Sequence, residues 1–259
     1  MTVLHPPPDQ PLDPALPPLA ESRLWLGPAL VAAAVLAVLG TVTVFMRVPL
    51  AEMPLYGPYR SFVLDATSML FLLVINPVFL GISVYMSSRI STSKVLARNL
   101  LPRAGLTFAF MVAMNLGVMA NNLLLLWAFI ELTTLCAAPL VAQGEAQAPR
   151  RIAWQYLLYS SVSLLITLLG ILCLTRAAEL QGTVIDFDFD RMAATLPRDD
   201  NGWGRLGLAL MLFGLGSKLG LAPIYSWLPV TYEAAPTSTS ALLAADRKST
   251  RLNSSHATL

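Results

Sequence analysis

The chain has 259 residues, 56% of them hydrophobic and 12% charged, whereas soluble domains average about 25% charged residues. With a mean hydropathy of +0.64, this excludes an ordinary soluble domain and reads as an all-α polytopic membrane protein. The net charge of +2 resides in residues 246–259 and the rest of the chain is balanced, so no basic surface points to nucleic acid.

Residues 1–20 are proline-rich with almost no apolar periodicity, which predicts a disordered or polyproline-like arm over 1–23. The arm lacks the n-region, h-region and cleavage site expected of a signal peptide. A helix needs roughly 20 apolar residues to cross a bilayer. That predicts six membrane helices, at 24–46, 62–86, 104–121, 122–143, 152–176 and 206–229, within a transmembrane domain spanning 24–245. The third and fourth are nearly continuous, and Asn121-Asn122 offers the turn between them. Loop 87–103 carries Arg89, Lys94, Arg98 and Arg103 without an acid, and 144–151 carries Arg150 and Arg151 against Glu145. Both fall on the side of Arg23 and the N-terminal arm. The connection 177–205, with Asp186, Asp188, Asp190, Asp199 and Asp200, falls opposite, and its length predicts a short amphipathic or interfacial helix. Positive-inside bias then puts the N-terminus in the cytoplasm and the acidic loop outside. Residues Ser240 to Ala245 read as the start of another membrane helix, interrupted by the polar stretch 246–259. That stretch resembles a string found at the ends of unrelated translated frames through adaptor read-through. It is expected to be foreign and the chain truncated, the alternative being a genuine polar tail.

Lys218 stands in an otherwise uncharged apolar run from Leu206 to Val230. An ammonium near the bilayer centre costs roughly 2.5–3.5 kcal/mol on insertion scales, so it is rarely kept without a use. Lysine is also the cation that most readily gives up its proton when desolvated. Glu131 is a second charge inside an apolar span, near the middle of 122–143. A carboxylate alone in an apolar medium tends to take a proton and a lysine alone tends to lose one; close together they stabilise each other's charged forms. A pair whose separation changes is a switch for proton transfer, whereas a fixed pair ties two helices together. The sequence leaves both readings open. Pro223 and Pro229 follow, and each removes an intrahelical hydrogen bond. Gly214, Gly216 and Gly220 weaken the helix before them, so a broken helix is predicted. Such a break is either a packing kink or the wall of a hydrated path, because irregular backbone at membrane depth needs packed protein or water beside it.

Other polar residues carry less. Asp65 opens the second span and suits either an interfacial cap or a proton-relay position. Gln155 and Tyr156 lie near a helix end and suit interface anchoring. Ser160, Ser161, Ser163 and Thr167 are placed to hydrogen-bond to neighbouring helices or to their own backbone. Cys136 and Cys173 lie in apolar runs and suit small buried hydrophobes; His5 and His256 lie in the tails. Without metal-ligand spacing, a nucleotide cradle or a nucleophile triad, no cofactor or metal is expected in this chain.

Three stretches share a family likeness: Leu64-Asp65-Ala66-Thr67-Ser68-Met69-Leu70-Phe71, then Asn122 through Trp127 to Glu131-Leu132-Thr133-Thr134-Leu135, and then Gly216 to Leu243. Together they resemble the antiporter-like, proton-conducting membrane subunits shared by respiratory complex I, Mrp cation/proton antiporters and membrane-bound hydrogenases. The first looks like the family's opening aspartate helix, the second like its glutamate helix, the third like its broken lysine helix. The likeness covers about 62–245. It implies an incomplete first half of an inverted-repeat proton-channel fold, with Glu131 and Lys218 paired in a half-channel and Asp65, Tyr225 and Trp227 as accessory residues. Ile130 precedes Glu131 where many members have tryptophan, and Trp127 lies four residues before Glu131, an arrangement closer to the hydrogenase-type branch. Tyr225 replaces a usual histidine, Val230 and Thr231 a common Asp-Ala, and Gln155 a common lysine. These departures bear on accessory relay residues and not on the central pair.

The resemblance thus implies proton or sodium translocation by one subunit of a redox-coupled or antiporter complex in the bacterial inner membrane. Redox centres would belong to partner membrane and peripheral subunits, and the 259 residues alone are expected not to conduct. From the residues alone, an anion or solute permease and an inert structural subunit stand as alternatives, as does a related inorganic-carbon uptake complex.

Overall fold

A computed structural model describes residues 25–48, 54–57, 60–90, 100–143, 149–196, 202–221 and 227–244. The arm 1–23, the tail 246–259, Lys94, Arg98, Glu145, Asp199, Asp200, Pro223 and Tyr225 lie outside the described residues. Five helices are long and apolar enough to cross a membrane: α1 (Leu26–Arg47), α2 (Ala66–Ile90), α3 (Leu100–Met119), α4 (Leu123–Val141) and α5 (Pro149–Leu180). Outward-facing apolar side chains such as Leu36, Met46, Leu158 and Leu169 suit contact with lipid, because every backbone group of a helix is paired internally. Inward, Phe71, Ile75 and Phe79 of α2 meet Phe110, Met111 and Met114 of α3 in the main core, which extends to Tyr156 and Trp227.

The expected sixth span, 206–229, is not one apolar helix. Helix α7 (Gly202–Leu219) has 18 residues, includes Arg205 and Lys218, and stops at Gly220. The chain is helical again in α8 (Trp227–Ala234) and over 237–244. The remaining boundaries lie close to the predicted ones. The α3–α4 turn falls at 120–122, where Asn122 caps α4 by accepting from the N–H groups of Leu124 (3.0 Å) and Leu125 (3.4 Å).

One end of the bundle is tied together by backbone pairing. Strands β1 (Leu55–Tyr56) and β2 (Val63–Leu64) form an antiparallel hairpin, with Leu55 opposite Leu64. Isolated bridges join Phe62 to Ala120 and Asn122 to Asp188. The connection after α5 holds the short helix α6 (Phe189–Thr195), as its length predicted. This connection therefore lies at the same end as the β1–β2 hairpin and the α3–α4 turn, opposite the C-terminal ends of α2 and α4. That is the relative sidedness expected from the loop charges.

Helices α5 and α7 make the closest approach in the fold. A Cβ on Gly170 would stand 2.7 Å from the Gly207 carbonyl oxygen, and one on Gly207 would stand 2.8 Å from that of Gly170. Gly214 faces the Ser163 carbonyl and Thr167 in the same way. Small residues at these positions let two membrane helices touch backbone to backbone. That contact sets the position of Lys218.

Candidate functional site

Helix α7 ends in a glycine cap. Gly220 has φ +73, a left-handed conformation that favours glycine. The Leu221 N–H donates to the Gly216 carbonyl (2.9 Å) and the Gly220 N–H to that of Ser217 (3.1 Å), the two bonds of a Schellman motif. Lys218 therefore occupies the last turn of α7, where the helix dipole favours a cation. The break begins at Gly220. Pro229 falls in the first turn of α8, where proline is tolerated, and so does not itself interrupt a helix.

Lys218 is buried, with 7% of its surface exposed. Its ammonium donates to Thr134 Oγ1 of α4 and to Ser160 Oγ of α5, the latter at 2.5 Å. The two hydroxyls lie 3.2 Å apart. Nζ stands 5.7 Å from the centroid of the Tyr156 ring, within reach of a cation–π contact. Tyr156 packs at 5.5 Å against Trp227, the first residue of α8. Both sides of the break thus converge on one face of α5: the end of α7 at Ser160 and the start of α8 at Tyr156, one turn away.

Glu131 lies three residues before Thr134 on α4, so the two share a face. Its Oε1 accepts from Ser161 Oγ at 2.6 Å. Its Oε2 is buried and has no hydrogen-bond partner among the described residues. The expected contact between Glu131 and Lys218 is not an ion pair here; the ion pairs among the described residues are Arg60–Asp190, Arg176–Glu179 and Arg191–Asp186. Instead the two charged groups hang on consecutive serines of α5. Successive helical residues point about 100° apart, so Ser160 and Ser161 address different neighbours.

The accessory residues separate into distinct roles. Asp65 is a helix cap: its Oδ1 accepts from the Ser68 N–H at 2.7 Å. Ser163 and Thr167 bond to their own helix, donating to the carbonyls of Tyr159 (2.6 Å) and Ser163 (3.1 Å). Gln155 is exposed and lines a groove of about 180 Å³ with Ile152, Tyr159, Trp227, Val230 and Thr231. Cys136 and Cys173 are buried free thiols. The lysine's oxygen partners were only half visible beforehand: Ser160 stood among the polar residues of its span, whereas Thr134 was one letter of the glutamate stretch. The signal for Thr134 was its i+3 spacing from Glu131.

A second polar cluster, at the paired end of the bundle, is not evident from sequence. Arg60, with φ +58, bonds Asp190 at 2.9 Å and covers the Tyr56 ring at 4.2 Å. Asn121 donates to the Arg60 carbonyl (3.0 Å) and to Asp190 (3.4 Å), and Asn122 to Asp188 (2.9 Å). The hydrogen bond to Asp190 is the main reason the Arg60 guanidinium is raised above its ordinary range. Partial burial raises the Asp190 carboxyl, but the bonds from Arg60 and Asn121 together outweigh it and leave Asp190 below the usual carboxylate range.

Residues 120–248, about half of the chain, match the family model described as NADH:quinone oxidoreductase/Mrp antiporter, transmembrane. A hydrogenase-4 component F homolog from Methylacidiphilum infernorum is 24% identical over 194 residues, which is 72% of this chain and 40% of that protein. NADH-quinone oxidoreductase subunit N 1 from Opitutus terrae is 30% identical over 179 residues, covering 66% and 35%. The chain thus spans well under half the length of these curated relatives. Among solved structures, a chain of the membrane-bound sulfane sulfur reductase, an archaeal respiratory membrane complex, superposes with a TM-score of 0.73 at 21% identity, over 91% of this chain and 50% of that one. A chain of the Mrp complex from Dietzia sp. gives 0.65 at 20% identity, over 86% and 42%. These two likenesses concern the fold.

Proposed function

Because the chain belongs to the NADH:quinone oxidoreductase/Mrp antiporter transmembrane family, we propose that it is the proton-translocating part of an integral membrane subunit in a redox-coupled or antiporter complex. The observation that carries this reading is a buried lysine held on two neutral hydroxyls at a helix break, one helix turn from a carboxylate with an open acceptor oxygen. An ammonium and a carboxyl group on adjacent hydroxyls can exchange protons with water without either helix unfolding.

The subunit carries no redox centre in this reading. Electron transfer belongs to partner subunits in this reading, which fits the likeness to chains of two membrane complexes. Membership in the hydrogenase-like branch fits Trp127 and Ile130. We place the subunit in the bacterial inner membrane, where the basic loops 87–103 and 144–151 favour a cytoplasmic N-terminus, which puts the Arg60–Asp190 end outside.

The test is substitution in the full-length subunit within its complex. Lys218→Met is expected to abolish proton translocation while the complex still assembles. Glu131→Gln is expected to impair it, and Glu131→Asp to impair it less. Normal translocation per assembled Lys218→Met complex sinks the proposal; sodium flux that disappears while proton flux persists would reassign the ion.

A further inference from the structure

Two consecutive serines hold the two charged groups of the site separately. Ser160 Oγ accepts from Lys218 at 2.5 Å, and Ser161 Oγ donates to Glu131 Oε1 at 2.6 Å. Ser160 is buried at 1% exposure and Thr134 at 0%, so the Lys218 partners are fixed by packing on both sides. The hydroxyls Ser163, Thr167 and Ser217 instead spend their protons on carbonyls of their own helices. Ser161 differs from those three in donating across to another helix. Its bond occupies one carboxyl oxygen of Glu131 and leaves Oε2 buried without a donor.

A buried carboxylate oxygen without a donor is unfavourable by the full desolvation penalty of that atom. The penalty falls if Oε2 binds a proton, because a neutral carboxyl group is less costly to bury than a charged one and Oε1 becomes the carbonyl oxygen that accepts from Ser161. We infer that Ser161 is a positioning residue that directs proton uptake by Glu131 to Oε2, while Ser160 and Thr134 hold Lys218 apart from it. The inference deepens the proton-translocation reading and rests on it. The step moves one proton and no electrons. A hydronium gives its proton to Oε2 and leaves as water, the carboxylate becomes a carboxylic acid, and Ser161 keeps its own hydroxyl proton throughout. Lys218 stays an ammonium on Thr134 and Ser160 during this step. Release reverses it.

A carboxyl group whose C=O accepts from Ser161 has an infrared C=O band that moves when the donor is removed. In membranes containing the full complex, the band assigned to Glu131 is the one absent in Glu131→Gln. That band is expected to shift to higher frequency in Ser161→Ala, to stay in place in Ser160→Ala, and to return in Ser161→Thr, which restores a hydroxyl. Proton translocation is expected to fall roughly tenfold in Ser161→Ala, the scale of one hydrogen bond to a charged group, with normal assembly and recovery in Ser161→Thr. A band unmoved by Ser161→Ala, or moved equally by Ser160→Ala, overturns the assignment. The band is read without transport, so failure of the translocation reading, seen as normal pumping by Lys218→Met, stays distinguishable from failure of the positioning role.

Discussion

Gly214 and Gly216 lie two residues apart in α7, yet replacing each with alanine should change stability in opposite directions. A Cβ on Gly214 meets the Ser163 carbonyl, Thr167 Oγ1 and, at 2.8 Å, the Thr167 backbone nitrogen. Backbone cannot rotate out of the way. Ordinary contact begins near 3.4 Å, and the Ser163 carbonyl oxygen is nearer than the Thr167 nitrogen, so α5 and α7 must part by about 1 Å, and overpacking of this kind costs about 1–3 kcal/mol. The gain in helix propensity from glycine to alanine, about 1 kcal/mol, offsets part of it. At Gly216 the nearest atom is Leu221 Cδ1 at 3.6 Å, so only the propensity gain remains.

Function should separate less sharply than stability. Gly214 lies one turn before Lys218, so a gap at Gly214 is felt at the cradle. Parting the helices by about 1 Å stretches the Lys218–Ser160 contact from 2.5 Å to about 3.5 Å, the outer limit of a hydrogen bond. Gly214→Val adds reach of about 1.5 Å and carries the ammonium beyond Ser160. Heat the detergent-extracted complex and follow the intact fraction by size exclusion, then measure translocation per intact complex in liposomes. The expected order of stability is Gly216→Ala, wild type, Gly214→Ala, Gly214→Val, with translocation weakened in Gly214→Ala and lost in Gly214→Val. Gly214→Ala as stable as Gly216→Ala would refute the close approach of α5 and α7.

Three further outcomes are expected. Asn122→Ala removes the side-chain cap of α4 and should lower stability by about 1 kcal/mol, read as a lower unfolding temperature, whereas Asn122→Asp keeps the acceptor and should be milder. Asp190 has a depressed folded pKa, so its contribution is present above the ordinary carboxylate pKa of about 3.9 and is lost as pH falls through the lower folded value. Hydrogen exchange at the Phe189 amide, corrected for intrinsic rates, should therefore accelerate only below about pH 4, and Asp190→Asn should remove that acid-dependent step; acceleration beginning above pH 5 would contradict the clamp. For topology, a membrane-impermeant thiol reagent applied from outside should label Asn201→Cys and spare Ser93→Cys, and the reverse pattern would invert the orientation.

The architecture was legible where apolar runs are long and bounded. Five spans, the Asn121-Asn122 turn and the helix in the acidic connection follow from hydropathy and turn chemistry. The sixth span, with its break, was legible from hydropathy and helix breakers together: Leu206 to Val230 is apolar apart from Lys218, and its glycines and prolines predict the interruption that begins at Gly220, which adopts a left-handed conformation. Lys218 and Glu131 stood out because charge in an apolar run is conspicuous. Thr134, Ser160 and Tyr156 did not, since hydroxyls and tyrosines are common in membrane helices and only the register of α5 against α4 and α7 selects these three. The Arg60–Asp190 clamp joins residues 130 positions apart, a separation that no local pattern can announce.

The position of Lys218 at the end of α7 bears on how little is needed to switch it. Placing an ammonium at bilayer depth costs roughly 2.5–3.5 kcal/mol. Against this stand two charge-assisted hydrogen bonds, each worth about 1.5–3 kcal/mol, and the helix C-terminus, worth about 0.3–1 kcal/mol. Fixing the long side chain takes back up to about 2 kcal/mol. These opposing sums agree to within a few kcal/mol, so these contacts hold the charge without committing the protein to it deeply. A unit charge gained or lost a few ångströms away is of the same size, about 4 kcal/mol at 4 Å for an effective dielectric constant of 20. On the proposed reading, the charge state of Glu131, one turn from Thr134 on α4, biases Lys218 between its two states by an amount that the distance between the two groups sets.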